Sequence, residues 1–103
     1  MTRASGRNSH AEGVSTFASG SYSHAEGDST IASGERSFSM GYGTEAKGYS
    51  SFAGGSGTLV AGDNNFVFGS KLFVSGKNSI GIGEGISEVI YLTGDANATS
   101  YTV

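Results

Sequence analysis

The glycines of this chain recur every 14 residues, and no other feature so constrains what it can fold into. Set in register from Ser9, the chain reads SHAEGVSTFASGSY, SHAEGDSTIASGER, SFSMGYGTEAKGYS, SFAGGSGTLVAGDN, NFVFGSKLFVSGKN and SIGIGEGISEVIYL. Glycine fills the fifth position of every unit, at Gly13, Gly27, Gly41, Gly55, Gly69 and Gly83. It fills the twelfth at Gly20, Gly34, Gly48, Gly62 and Gly76, and at Gly6 in TRASGRN, Thr2 to Asn8, which matches the second half of a unit. A fixed period of this length is the signature of stacked repeats, each unit burying its apolar face against the next. Because the sequence opens in mid-repeat behind Met1, it is expected to be a piece of a longer array with an added start residue.

Glycine recurring in register marks either a bend that needs positive φ or a place where no side chain fits. Each unit therefore has two corners, and the segments between them alternate small and large residues with the period of a strand. In the first segment, positions one and three are small, as in Ser9/Ala11, Ser23/Ala25 and Ser37/Ser39. Positions two and four hold His10/Glu12, His24/Glu26, Phe38/Met40, Phe52/Gly54, Phe66/Phe68 and Ile80/Ile82 on the opposite face. A coil of two short strands and two tight turns encloses a thin interior that only Ala, Ser, Thr and Gly fill at native density, so the small face points in.

The second segment follows the same rule, with Thr16/Ala18, Thr30/Ala32, Thr44/Ala46 and Thr58/Val60 inward and Leu72/Val74 marking a wider interior late in the chain. Stacked at strand spacing of roughly 4.8 Å, the coils make a rod about 30 Å long. The expected fold is an all-β parallel solenoid over residues 1–92, with coils 9–22, 23–36, 37–50, 51–64, 65–78 and 79–92. The 18 glycines with no proline suit tight turns rather than a disordered linker, which is normally enriched in proline and charge.

Composition removes several function classes. A net charge of -3 with six scattered basic residues gives no electrostatic footprint for nucleic acid. The absence of cysteine leaves no disulfide framework and no thiolate zinc site. No apolar run approaches the length of a membrane span, so direct membrane insertion is not expected.

With the small residues inside, Phe38, Met40, Phe52, Phe66, Phe68, Ile80 and Ile82 form an apolar stripe on the outside of the first sheet. A stripe that long marks an interface. Closed symmetric assembly covers it, and the thin core makes that assembly obligate.

NSIGIG, Asn78 to Gly83, resembles the NSVAIG-type motif of the head repeats of trimeric autotransporter adhesins. The SHAEG and ASG units are similar to related repeats in structural proteins of bacteriophages. The resemblance covers roughly Thr2 to Leu92, and it implies a left-handed parallel β-roll with three rolls packed around a threefold axis. On that arrangement the homotrimer interface comprises the apolar stripe together with His10, Glu12, His24 and Glu26. Two departures stand out: Ser87 to Val103 contains neither an adhesin neck motif nor a coiled coil, and SHAEG is more typical of phage and prophage fibre-like proteins. A phage or prophage setting is therefore favoured over a bacterial adhesin.

SHAEG, at Ser9 to Gly13 and Ser23 to Gly27, invites a catalytic reading because it combines serine, histidine and glutamate. Neighbouring residues of a strand point to opposite faces, so each serine is kept from the histidine beside it. His10 and Glu12 do share a face, with His24 and Glu26 alongside. In a trimer each histidine appears three times at one level, and such a ring can hold a metal or, protonated, an anion. The expectation is a hydrated His/Glu ladder without a cofactor, with His10 and His24 as the candidate ligands if a metal binds.

Other signals are weaker. The threonines at position eight are expected inside, unlike the outward Thr-x-Thr faces of ice-binding solenoids. GYGTEAKG and GIGEG belong to the solenoid register and contain no phosphate-loop lysine. Glu45 and Lys47 share the free outer face. Tyr22, Tyr42, Tyr49, Asp63 and Lys77 at corners are displayed for a possible host-surface protein or glycan.

Asn97-Ala98-Thr99 fits a glycosylation sequon that a bacterial or viral protein leaves unused. Val89 to Leu92 is expected to cap the roll, with Ile90 where a corner glycine would fall, and 93–103 to be a transition segment. The function expected is non-enzymatic: a rigid segment of a homotrimeric surface fibre, on a virion tail fibre or a bacterial surface. The alternative is a host-ligand-binding module acting through the outer sheet or the corners.

Overall fold

The computed structural model describes residues 1–85 and the backbone of 89–93. Six long strands carry the first half of each coil: β2 (His10–Val14), β4 (His24–Asp28), β6 (Phe38–Tyr42), β8 (Phe52–Ser56), β10 (Phe66–Ser70) and β12 (Ser79–Glu84). Six short ones carry the second half: β1 (Arg3–Ala4), β3 (Phe17–Ala18), β5 (Ile31–Ala32), β7 (Glu45–Ala46), β9 (Leu59–Val60) and β11 (Phe73–Val74). The long strands form one sheet in the order β12-β10-β8-β6-β4-β2 and the short strands another in the order β1-β3-β5-β7-β9-β11. Every one of these pairings is parallel and in register at 14 residues, as in His10 beside His24 and Phe66 beside Ile80. The fold is a parallel β-solenoid.

The interior is what the alternation of side-chain size dictates. Ala18, Ala25, Ala32, Ala46, Ala53, Val60 and Val67 have no exposed surface, and the inward threonines are equally enclosed. From Val60 onward the filling grows, with Leu72 and Val74 completing the later part of the core. The serines of position one, half-buried at Ser9 and buried at Ser23, Ser37 and Ser51, are held there for a reason beyond size. The hydroxyls of Ser9, Ser23, Ser37 and Ser51 each donate to the carbonyl of the preceding position-twelve glycine at 2.7 Å. Asn65 replaces serine in the fifth coil. Its amide nitrogen donates to Gly76 O and its oxygen accepts from the Ser79 N–H at 2.8 Å, tying two coils together.

The two glycine columns have different causes. Position five has φ between 100° and 158° from Gly13 to Gly69, a region L-residues rarely enter. A Cβ there would also lie under 3.0 Å from the carbonyl oxygen of the next coil's glycine. Position-twelve glycines from Gly6 to Gly62 are absent from the positive-φ set, and glycine is needed there only because the next coil's backbone passes so close. The left-handed conformation of the corners falls elsewhere. Position fourteen adopts it at Asn8, Tyr22, Arg36, Ser50, Asn64 and Asn78, and position seven at Ser15, Ser29, Gly43, Gly57 and Lys71, with φ of 52–69°.

The hydrogen bonds show what this conformation achieves. Strand residues such as Phe17 donate to the following coil, at Thr30 O, whereas Tyr22 and Ser29 donate back to Arg7 O and Val14 O of the preceding one. The corner residue turns its amide toward the coil below, so the backbone ladder continues around the bend. This satisfaction offsets a left-handed penalty of about 1–2 kcal/mol for each non-glycine corner.

The segment 79–92, expected as a sixth full coil, only begins as one. β12 pairs parallel with β10, but β13 (Val89–Thr93) returns antiparallel along β12, placing Ile82 beside Ile90 and Ile80 beside Leu92. Without a glycine at position 90, the close approach required at the twelfth position cannot recur, and the second half does not repeat the course of the short strands. β13 ends the long sheet as its seventh strand. Of the transition segment expected over 93–103, Thr93 belongs to β13, and the rest, the Asn97 sequon included, lies outside the described residues. No helix of the described chain is long and apolar enough to cross a membrane.

Two of the inward threonines give a direct test of the core. The hydroxyls of Thr16 and Thr30 are buried without a hydrogen-bond partner, whereas Thr44 Oγ1 meets Ser39 Oγ at 2.7 Å and donates to Met40 O at 3.0 Å. Thr30→Val removes an unsatisfied hydroxyl and is expected to leave stability unchanged or raise it by up to ~1 kcal/mol. Thr44→Val orphans Ser39 and is expected to cost ~1–2 kcal/mol. Paired urea melts of the two variants measure the difference in sign.

Candidate functional site

The outer face of the long sheet gathers the large residues into two columns. Parallel in-register pairing repeats every side chain at the strand spacing, which matches the thickness of stacked rings. His10, His24, Phe38, Phe52 and Phe66 accordingly form one continuous stack. Successive centroids are 4.6, 4.4, 5.3 and 4.5 Å apart, with ring planes within 17° of parallel. Ile80 follows Phe66 in the same column.

The second column runs Glu12, Glu26, Met40, Gly54, Phe68 and Ile82. Gly54 breaks the run of large side chains, and the structure supplies the reason. A Cβ at Gly54 would lie 2.8 Å from Phe68 Cδ2 and 2.9 Å from Phe52 Cε1. The two rings close over the glycine and fill its place, so the apolar surface is uninterrupted. Size alternation alone does not reveal this; the flanking phenylalanines in the coils are the signal.

The stripe is open in the single chain. Phe66 is 45% exposed, Phe68 48%, Ile80 39% and Ile82 45%, while Phe38, Met40 and Phe52 are half-buried by their neighbours in the stack. Rings stacked face to face still present their outer edges to solvent. Such a contiguous patch on one face marks an interaction surface.

At the polar end, His10 Nε2 lies 3.6 Å from Glu12 Oε1 and His24 Nε2 lies 3.7 Å from Glu26 Oε2. These separations exceed a hydrogen bond. Neither histidine donates directly to its glutamate within the chain, and His24 Nε2 is buried without a hydrogen-bond partner. The serines of SHAEG are engaged on the other face, with Ser23 Oγ bound to Gly20 O, and they do not meet the histidines.

The outer face of the short sheet is mixed. Phe17, Ile31 and Leu59 are half-buried, Phe73 is exposed, and Glu45 interrupts them with its carboxylate 3.7 Å from Lys47 Nζ. The corner tyrosines Tyr22, Tyr42 and Tyr49 are exposed around the coil edges. Asp63 accepts from the Tyr49 N–H at 2.9 Å and so joins two corners.

The family model of the YadA head domain repeat matches in two successive copies, over residues 11–34 and 32–58. No curated protein matches the chain. The matched stretch runs from the first coil into the fourth and takes in the second SHAEG strand, the rings of His24, Phe38 and Phe52, and glycines of both columns. Over residues 11–58 the chain is thus similar to the YadA head domain repeats, the head repeats of trimeric autotransporter adhesins.

Proposed function

We propose that this chain is a structural head segment of a homotrimeric surface fibre, with the outer face of the long sheet turned toward the threefold axis. The observation that carries the reading is the open stripe of Phe66, Phe68, Ile80 and Ile82, continuous with Phe38, Met40 and Phe52. Heads built from YadA repeats are homotrimeric and belong to the cell surface, and a trimer supplies the cover that one chain lacks. The role is mechanical and non-enzymatic: a stack of parallel coils in which each backbone is bonded to the coils above and below. The virion setting, as part of a tail fibre, rests on the SHAEG phrase.

Within this assembly the phenylalanine and isoleucine layers supply most of the association energy, each half-open side chain contributing ~1 kcal/mol per chain on burial. The His/Glu layers set register, because mismatched partners would leave them opposite apolar rings. Replacing both His10 and His24 by Phe extends the ring stack by its own geometry. That double variant is expected to remain a trimer in sedimentation velocity. Loss of assembly would contradict the division of roles.

A further inference from the structure

We propose that His10, Glu12 and His24 form a binding site for a divalent transition metal of the zinc class. Parallel register sets His10 beside His24 and Glu12 beside Glu26 on one face. One ligand atom from each of His10, Glu12 and His24 lies within 4.8 Å of the other two. Both imidazoles direct Nε2 at a carboxylate, yet stop at 3.6 and 3.7 Å. Both are too long for a hydrogen bond; the His10–Glu12 separation is close to the ligand-to-ligand edge of roughly 3.4 Å in a tetrahedral zinc site with bonds near 2.1 Å, and the wider separations within the group, up to 4.8 Å, are closed by tilting the exposed His10 ring.

A second observation points the same way. His24 Nε2, one of the three ligand atoms, is buried and has no hydrogen-bond partner. A metal bonded there would satisfy it. The stack holds His24 between His10 and Phe38, whereas the His10 side chain is 57% exposed and free to tilt its nitrogen toward a shared ion. Two imidazoles and a carboxylate suit zinc, nickel or cobalt; calcium and magnesium favour oxygen ligands alone. Glu26 or a water completes the fourth position. Around the group, β2 contributes Glu12, β4 contributes Glu26, and β6 presents only Phe38 and Met40.

The site is built from one chain and does not depend on the threefold assembly. In the proposed trimer it lies on the face turned to the axis, and three copies surround it. The test is a calorimetric titration of the tag-free chain with zinc at pH 7.5, with molecular mass measured by light scattering on the same samples. Saturation at one zinc per chain is expected.

His24→Phe keeps a ring in the stack and is expected to weaken binding at least about tenfold, as is Glu12→Gln on the exposed strand β2. Cobalt in place of zinc is expected to give the visible absorption of a four-coordinate ion. Absence of saturable zinc binding, affinity unchanged in both variants, or one zinc per three chains would each overturn the site. A monomer that binds zinc contradicts the assembly alone, and a trimer that does not contradicts the metal site alone.

Discussion

Gly41→Ala is expected to abolish folding of the chain, while Gly43→Ser, two residues on, is expected to cost ~1–2 kcal/mol. Both glycines have positive φ, 106° and 63° respectively, so conformation alone does not rank them. Their surroundings do. A Cβ on Gly41 would lie under 3.0 Å from the carbonyl oxygen of Gly55, a backbone atom held in the next coil, whereas nothing lies within 4 Å of a Cβ on Gly43.

The φ of Gly43 is also one that other coils give to Ser15, Ser29 and Lys71 at the same position. The φ of Gly41 is given only to glycine. Relief at Gly41 would require separating two coils, which breaks the parallel ladder on both sides, a loss of at least about 4 kcal/mol and comparable to the stability of a small domain. Thermal melts followed by circular dichroism, with soluble yield as a second readout, measure the contrast. Similar melting temperatures for the two variants would contradict the close packing of coils.

The double substitution Phe66→Asp and Phe68→Asp is expected to leave a chain that no longer assembles. Each ring is nearly half exposed in one protomer, so the coil itself loses little. At a threefold axis the same change brings six carboxylates together in a site without water, where each unpaired charge carries a penalty of several kcal/mol. The dissociation constant is expected to rise at least about a thousandfold, the equivalent of roughly 4 kcal/mol. Phe73→Asp is the control. Phe73 is 58% exposed on the short sheet, equally apolar, and outside the proposed interface, so its replacement is expected to leave the mass unchanged. Equal effects at the two places would show that both faces assemble.

Much of the fold could be read from the chain because side-chain size alternates with the period of a strand. Ala18, Ala25 and Thr30 inside and Phe66 and Phe68 outside follow from that rule alone, and the 14-residue register gives the parallel pairing of His10 with His24. What escaped the reading is what glycine does not mark. Many left-handed corners fall on residue types that carry no conformational signal, such as Tyr22, Arg36, Ser50 and Lys71; Asn8, Asn64 and Asn78 hint at position fourteen, and Gly43 and Gly57 at position seven.

Position-one serine looked merely small, but its hydroxyl closes the turn onto the preceding glycine carbonyl. The antiparallel return of Val89–Thr93 was foreshadowed only by Ile90 in the place of a glycine. In the site, the two columns were legible and the ring stack was not, because stacking depends on side-chain torsions that the residue order leaves open. The gap between each histidine and its glutamate was hidden for the same reason.

The central claim is that the stripe from Phe38 to Ile82 is covered by two further copies of the same chain. Light scattering behind gel filtration, over a wide dilution at neutral pH, tests it most directly. The account predicts a single species at three times the chain mass of 10.4 kDa, persisting on dilution. A folded species at 10.4 kDa throughout would contradict it, since the stripe would then stand open to water on a stable monomer.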